Sequence, residues 1–127
     1  MALKCLIVDD AGFIREILCH AVETNGDVVV GECSDGGQVA ELVTKLSPEV
    51  IFLDLVLPKF NGIEIARWVR ENAPETKIIA VSTLDDETTI AQAFEAGASL
   101  YIRKPFKQHE IKEALNKIRK NEVNQNV

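Results

Sequence analysis

Short apolar runs rich in valine and isoleucine alternate along this chain with longer stretches whose apolar residues recur every three or four positions. The runs lie at residues 3–8, 28–33, 50–53, 78–81 and 100–102. Each is nearly continuous and is bounded by polar residues or glycine. Strands covered on both faces read this way, because neither face has to meet water. In the first intervening stretch Ile14, Ile17, Leu18, Ala21 and Val22 share one helical face, and in the second Val39, Leu42, Val43 and Leu46 do. A third helix follows Gly62 and carries Ile65, Ala66 and Val69. A fourth carries Ile90, Phe94 and the neighbouring alanines and stops at Gly97, a residue suited to a C-cap. The fifth places Ile111, Ala114, Leu115 and Ile118 at i, i+3, i+4 and i+7. Pro48 and Pro74 fall where the second and third helices must already have ended. Five strand–helix units in succession predict an α/β fold, a doubly wound five-stranded parallel sheet with five helices on its two faces, because such crossovers are right-handed. One domain over residues 1–120 is expected. Residues 121–127 are polar and unpatterned, and read as a frayed tail or the start of a linker.

Composition narrows the function. The 127 residues are 46% hydrophobic and 27% charged, an ordinary globular mixture that supports a core without staples. Fourteen basic against twenty acidic residues give a net charge of −6, which argues against nonspecific binding to nucleic acid or an anionic membrane. Cys5, Cys19 and Cys33 have no C-x-x-C spacing, and His20 and His109 stand far apart, so a zinc site is not expected. The cysteines read as small apolar residues of a reducing compartment. The opening MALKCLIVDD enters a strand at once and meets two acids, unlike a signal peptide, and no segment is apolar for long enough to cross a membrane. A cytoplasmic location is the expectation.

The remaining polar residues gather once they are placed on this scheme. Asp9 and Asp10 end the first strand, Asp54 the third, Ser82 and Thr83 the fourth, and Lys104 with Pro105 follows the fifth. All fall at the carboxyl edge of the sheet, where doubly wound folds bind ligands. Three carboxylates in one place repel one another and call for a shared cation. Mg²⁺ suits them, being a hard ion held by a few carboxylates, water and phosphate oxygens. Lys104 adds a fixed positive charge and Ser82 a hydroxyl donor. Such a set favours transfer of a phosphoryl group, with a carboxylate able to act as nucleophile. Taken singly, each residue has a plainer reading. Asp9, Asp10, Asp85 and Asp86 suit helix caps, Ser82 a turn, Pro105 a helix start, and Asn61-Gly62 a turn into the third helix. Phe13, Phe60 and Trp68 call for no functional role, and the two histidines read as solvated helix surface.

Asp9-Asp10 after an apolar strand, Asp54, Ser82 and Lys104-Pro105 together resemble the receiver domain of two-component response regulators. The resemblance spans residue 3 to about 120 and looks nearest to stand-alone CheY-like chemotaxis receivers, whose first loop DDAGFIRE resembles. It implies a flavodoxin-like sheet of order 2-1-3-4-5, an order that the hydrophobic pattern does not reveal. It implies that Asp54 accepts the phosphoryl group, and that Asp10, Asp9, Asp54 and the backbone carbonyl of Val56 hold Mg²⁺. It further implies that Ser82 and Lys104 bind the phosphoryl oxygens, that the Lys104-Pro105 bond is cis, and that Tyr101 turns inward as a switch with Ser82. The implied partners are a sensor histidine kinase or phosphotransfer protein as donor, and a downstream target at the face formed by helix four, strand five and helix five. No direct nucleic acid contact is implied. The implied protein is no classical enzyme and catalyses only its own phosphorylation and slow dephosphorylation. In this family the residues two after the acceptor and two after the Ser/Thr flank the approach of hydrolytic water, and here they are Val56 and Leu84. Three other classes fit less well. A dehalogenase-type phosphatase needs an acid where Val56 stands. A flavodoxin-like carrier would meet Asp9 and Asp10 in its phosphate loop. A receiver kept only for docking usually lacks one of these residues, and none is missing.

Overall fold

A computed structural model describes residues 1–121 of the chain. The readings made for residues 122–127 lie outside that range. The strands are β1 (Lys4–Val8), β2 (Val28–Cys33), β3 (Val50–Asp54), β4 (Lys77–Ser82) and β5 (Ala98–Arg103). The helices are α1 (Gly12–Thr24), α2 (Val39–Leu46), α3 (Gly62–Asn72), α4 (Glu87–Glu95) and α5 (Gln108–Arg119), with a short 3₁₀ turn at Gly36–Gln38 before α2. The five strands form one parallel sheet in the order β2-β1-β3-β4-β5, a flavodoxin-like doubly wound fold.

The near-continuous apolar runs divide between two cores, because successive side chains of a strand point to opposite faces. On one face Cys5 and Ile7 of β1, Val50 and Phe52 of β3, and Ile79 and Val81 of β4 pack with Leu18 and Val22 of α1 and Ile111 and Leu115 of α5. On the other, Leu6, Val8, Ile51, Leu53, Ile78 and Ala80 meet Val39 and Val43 of α2, Ala66 and Val69 of α3, and Ala93 of α4. Full burial of one such aliphatic or aromatic side chain is worth about 1.5–3 kcal/mol.

The pattern predicts cover on both faces for every strand, but β2 and β5 are the edge strands of the sheet: Val28 is 46% exposed, and Leu100 and Tyr101 are half-buried. The valines of β2 satisfy strand propensity more than burial. Ile17 was placed on the buried face of α1 but lies on its margin, 36% exposed, whereas Leu18, Ala21 and Val22 are buried. In α4 the fully buried residue is Ala93, while Ile90 and Phe94 are only partly covered. This helix therefore rests on the sheet through small side chains.

Helix ends follow local chemistry. Asn61 caps α3 by accepting from the Ile63 N–H, and Asp86 caps α4 by accepting from the Thr89 N–H. Asp85 has no such role, and Pro105 lies outside α5, whose N-cap is Lys107. Gly97, just past α4, has φ +121°, open to glycine without strain.

Candidate functional site

Strand register brings the polar residues to one level. Val8 lies beside Leu53, Asp54 beside Val81, and Ser82 beside Arg103, so Asp9, Asp54, Ser82 and Lys104 leave neighbouring strands at the carboxyl edge. The acid-bearing strands are adjacent because β1 and β3 pair directly. Sequence order alone would have placed β2 between them.

One ammonium joins the cluster. Lys104 Nζ donates to Asp9 Oδ2 at 2.7 Å and to Asp54 Oδ2 at 3.2 Å. The backbone supplies the remaining donors: the Ala11 N–H donates to Asp9 Oδ1 at 2.9 Å, and the Val56 N–H to Asp54 Oδ1 at 3.0 Å. Asp9 is 1% exposed and Asp54 5%, whereas Asp10 is exposed at the rim. The Lys104-Pro105 bond is cis, as expected.

Burial pushes the Asp54 carboxyl up. The Val56 N–H and the Lys104 ammonium pull it down and the Asp9 charge pushes it up, and the net is a value above the ordinary carboxylate range. Burial alone would lower the Lys104 ammonium, but the hydrogen bond to Asp9 and the charges of Asp54 and Asp9 hold it above its ordinary value. Lys104 is thus a permanent cation facing a carboxylate that is costly to keep ionised.

The loop after Asp54 is more ordered than the sequence suggested. Val56–Leu57 and Phe60–Asn61 form a two-residue antiparallel ladder, with Val56 opposite Asn61. Gly62 then crosses close behind the end of β3. A Cβ there would stand 2.4 Å from Leu55 Cα and 2.8 Å from the Asp54 carbonyl oxygen. Only glycine lets α3 begin against this loop, and the Gly62 N–H donates to the Leu55 carbonyl at 3.1 Å. The Asn61-Gly62 pair was legible as a turn, but its service to the site was not, since the contact is tertiary.

Ser82 is fully buried, whereas Thr83 beside it is exposed. Its Oγ accepts from the Leu84 N–H at 3.1 Å, and the Tyr101 hydroxyl donates to the Leu84 carbonyl at 2.5 Å. Ser82 and Tyr101 therefore grip the same residue from its two sides. Tyr101 is partly buried, and its ring centre lies 6.5 Å from that of Phe94. Val56 and Leu84 are 53% and 40% exposed and line one groove beside the site. Arg15, which the sequence reading passed over, reaches the cluster from α1: its Nη1 donates to the Asp9 carbonyl at 2.7 Å. An arginine six residues after an acid carries no signal until the first turn of α1 folds it back.

One oxygen from each of Asp9, Asp10 and Asp54 lies within 4.8 Å of the others, and no other cluster of three such ligands occurs among the described residues. Two buried carboxylates, one exposed one and a single lysine leave excess negative charge, and an all-oxygen donor set suits a hard divalent cation such as Mg²⁺. The cysteines take no part. Burial pushes the Cys5 thiol up to about 12 and the Cys33 thiol up to about 11. No described helix is long and apolar enough to cross a membrane.

A family model for the response regulator receiver domain matches residues 5–116. Among curated proteins, the chain is 35% identical to the chemotaxis protein CheY of Thermotoga maritima, over 94% of this chain and 100% of that one. It is also 35% identical to the sensory transduction protein LytT of Oceanobacillus iheyensis, over 94% of this chain and 49% of that one. Among solved structures, the receiver domain of NarL from Mycobacterium tuberculosis superposes with a TM-score of 0.87 at 30% identity, covering 94% of this chain and 97% of that one. These relatives are of several kinds, so the resemblance extends across receivers and does not single out the chemotaxis type. On a match over most of its length, and on a sheet order shared with that fold, the chain belongs to the response regulator receiver domain family.

Proposed function

We propose that this chain is a phosphorylation-dependent signalling switch in which Asp54 takes a phosphoryl group from the phosphohistidine of a sensor histidine kinase or phosphotransfer protein. Receiver domains are not classical enzymes; they undergo phosphorylation and dephosphorylation on themselves. The observation that carries the assignment of residues is the Lys104 ammonium, 3.2 Å from one Asp54 oxygen while the Val56 N–H holds the other. A carboxylate so fixed is aimed, and positioning with charge neutralisation is most of phosphoryl-transfer catalysis. An Asp54 oxygen forms the new P–O bond, the P–N bond of the donor breaks, and the imidazole leaves with the bonding pair. Lys104 turns toward the added oxygens, and the buried Ser82 hydroxyl donates to one of them. Asp9, Asp10 and Asp54, with the Val56 carbonyl, are the residues that would hold Mg²⁺. When bound, the ion neutralises charge on the transferring group.

The output follows from the two hydrogen bonds to Leu84. Drawing Ser82 toward a phosphoryl oxygen alters its grip on the Leu84 N–H, and Tyr101 holds the adjacent carbonyl. The α4–β5–α5 face, which contains Tyr101, then changes its affinity for a downstream protein. Chemotaxis is one pathway that a receiver of this kind serves, and cytoplasmic location and a receiver spanning 1–120 belong to the same proposal. Asp54→Asn removes the nucleophile while keeping the shape. Labelling by acetyl phosphate or a phosphohistidine donor is expected to vanish with the circular dichroism unchanged. Uptake by the variant at the wild-type rate would remove Asp54 from its role.

A further inference from the structure

The three carboxylates of the cluster are not held alike. Asp9 and Asp54 each have both oxygens engaged, by Lys104 and by a backbone N–H. Asp10 has no side-chain hydrogen bond among the described residues, and it is exposed. No side-chain hydrogen bond fixes its χ1 and χ2, so what the fold can fix is the backbone from which its carboxylate departs. The peptide that leads into Asp10 carries the Asp9 carbonyl, and this oxygen receives Arg15 Nη1 at 2.7 Å. The other side of the guanidinium is tied down as well, for Arg15 Nε donates to Glu32 Oε1 on β2 at 3.0 Å. The fork lies along the first turn of α1, with Nη2 3.5 Å from where a Cβ on Gly12 would stand. The Arg15 side chain is 21% exposed, so the arrangement is partly shielded from water.

We infer that Arg15 is a positioning residue: braced by Glu32, it fixes the Asp9–Asp10 peptide and so the point from which the otherwise unsupported Asp10 carboxylate reaches the cation position. A planar guanidinium can hold a carbonyl and a carboxylate at once in fixed relative direction, which a lysine ammonium on a flexible stem does less well. Holding the Asp10 backbone in place before the ion arrives lowers the ordering cost of binding. The inference rests on the reading of Asp9, Asp10 and Asp54 as a Mg²⁺ site.

The test is a double-mutant cycle on Mg²⁺ affinity, measured by calorimetry on the unphosphorylated chain. Asp10→Ala alone is expected to weaken binding at least tenfold; unchanged affinity would remove Asp10 from the ligand set and overturn this inference with it. Arg15→Met, which keeps the stem but loses the fork and the charge, is expected to weaken binding about five- to tenfold in the wild-type background. It is expected to have no further effect once Asp10 is alanine. Equal effects in the two backgrounds would mean that Arg15 does not act through Asp10, and would overturn the inference while leaving the site standing. Should Arg15→Met fail to fold, Arg15→Lys decides. It retains the charge but not the fork, and is expected to bind Mg²⁺ at least threefold more weakly than the wild type. Full affinity in that variant would reduce Arg15 to a nearby charge and overturn the positioning role.

Discussion

Asp54 sits where the fold would be better served by an uncharged side chain. Its carboxyl is raised by burial despite Val56 and Lys104, so the folded chain holds a proton there more tightly than the unfolded chain does. Stability from this group is therefore greatest at low pH and falls as pH rises through the folded value. In metal-free buffer Asp54→Asn is expected to raise unfolding free energy at pH 7 by about 1 kcal/mol, a common gain when a functional group is relieved. The gain should shrink toward pH 4, and urea titrations at both pH values would measure it. Hydrolysis is a second residue-scale question. Val56 and Leu84 stand half open beside the site and line the same groove, and neither can hydrogen-bond a water approaching the phosphorus. Slow self-dephosphorylation is expected. Val56→Asn with Leu84→Glu should speed phosphate release roughly tenfold, about 1.4 kcal/mol of barrier. Equal or slower release would assign both side chains to solvent alone.

Between elements, one buried acid does work that its sequence position conceals. Asp27, in the loop between α1 and β2, accepts from the Leu3 N–H at 2.9 Å, from Asn25 at 2.9 Å and from Arg119 at the end of α5. It thereby ties the start of β1 and the close of α5 to one point. Burial works to raise the Asp27 carboxyl, but the hydrogen bonds from Leu3, Arg119 and Asn25 and the Arg119 charge together hold it below the ordinary range. The resulting stability is present above the unfolded carboxylate value and is lost as pH falls through the lower folded one. Asp27→Ala is expected to cost about 2–3 kcal/mol at pH 7, since it strands a partly buried arginine and a backbone N–H. By pH 3 the difference from wild type should have narrowed. Chemical unfolding at the two pH values separates this from a cavity effect, which would not depend on pH. Arg70 makes a comparable tie between α3 and α4, donating to the Glu95 carbonyl at 2.5 Å while its stem packs on Gly97.

On the scale of the whole molecule, the site and the proposed output face share β5 and the loop after β4. Helix α4 lies on the sheet chiefly through Ala93 and, just past its end, Ala96, with Ile90 and Phe94 partly uncovered. Few buried methyl groups resist its displacement, which suits an element biased by a local event. Beryllofluoride with Mg²⁺ should shift amide resonances in α4, β5 and α5, including Tyr101, as well as those around Asp54. Shifts confined to the loops at the carboxyl edge would count against transmission through Ser82 and Tyr101.

The hydrophobic pattern was enough for the five strands, the five helices and the parallel sheet, because period and run length report burial directly. Val28–Cys33 was bounded correctly from the run alone, and the other strands within a residue or two. Asp9, Asp10, Asp54, Ser82 and Lys104 could be assigned to one edge because strand ends are readable and parallel strands end on the same side. Strand order was not readable from the pattern: it depends on how crossovers pack, and it entered through family resemblance alone. The exposure of Val28 was hidden for the same reason, since an edge strand and a central one can carry the same valines. Only the tertiary structure decided that Lys104 bridges Asp9 and Asp54, that Gly62 must clear the Leu55 backbone, that Arg15 returns to the Asp9 carbonyl, and that Asp27 meets Arg119. Each is a contact between segments brought together by chain reversal. Local sequence encodes the secondary structure of such segments but not the distance across which their side chains meet.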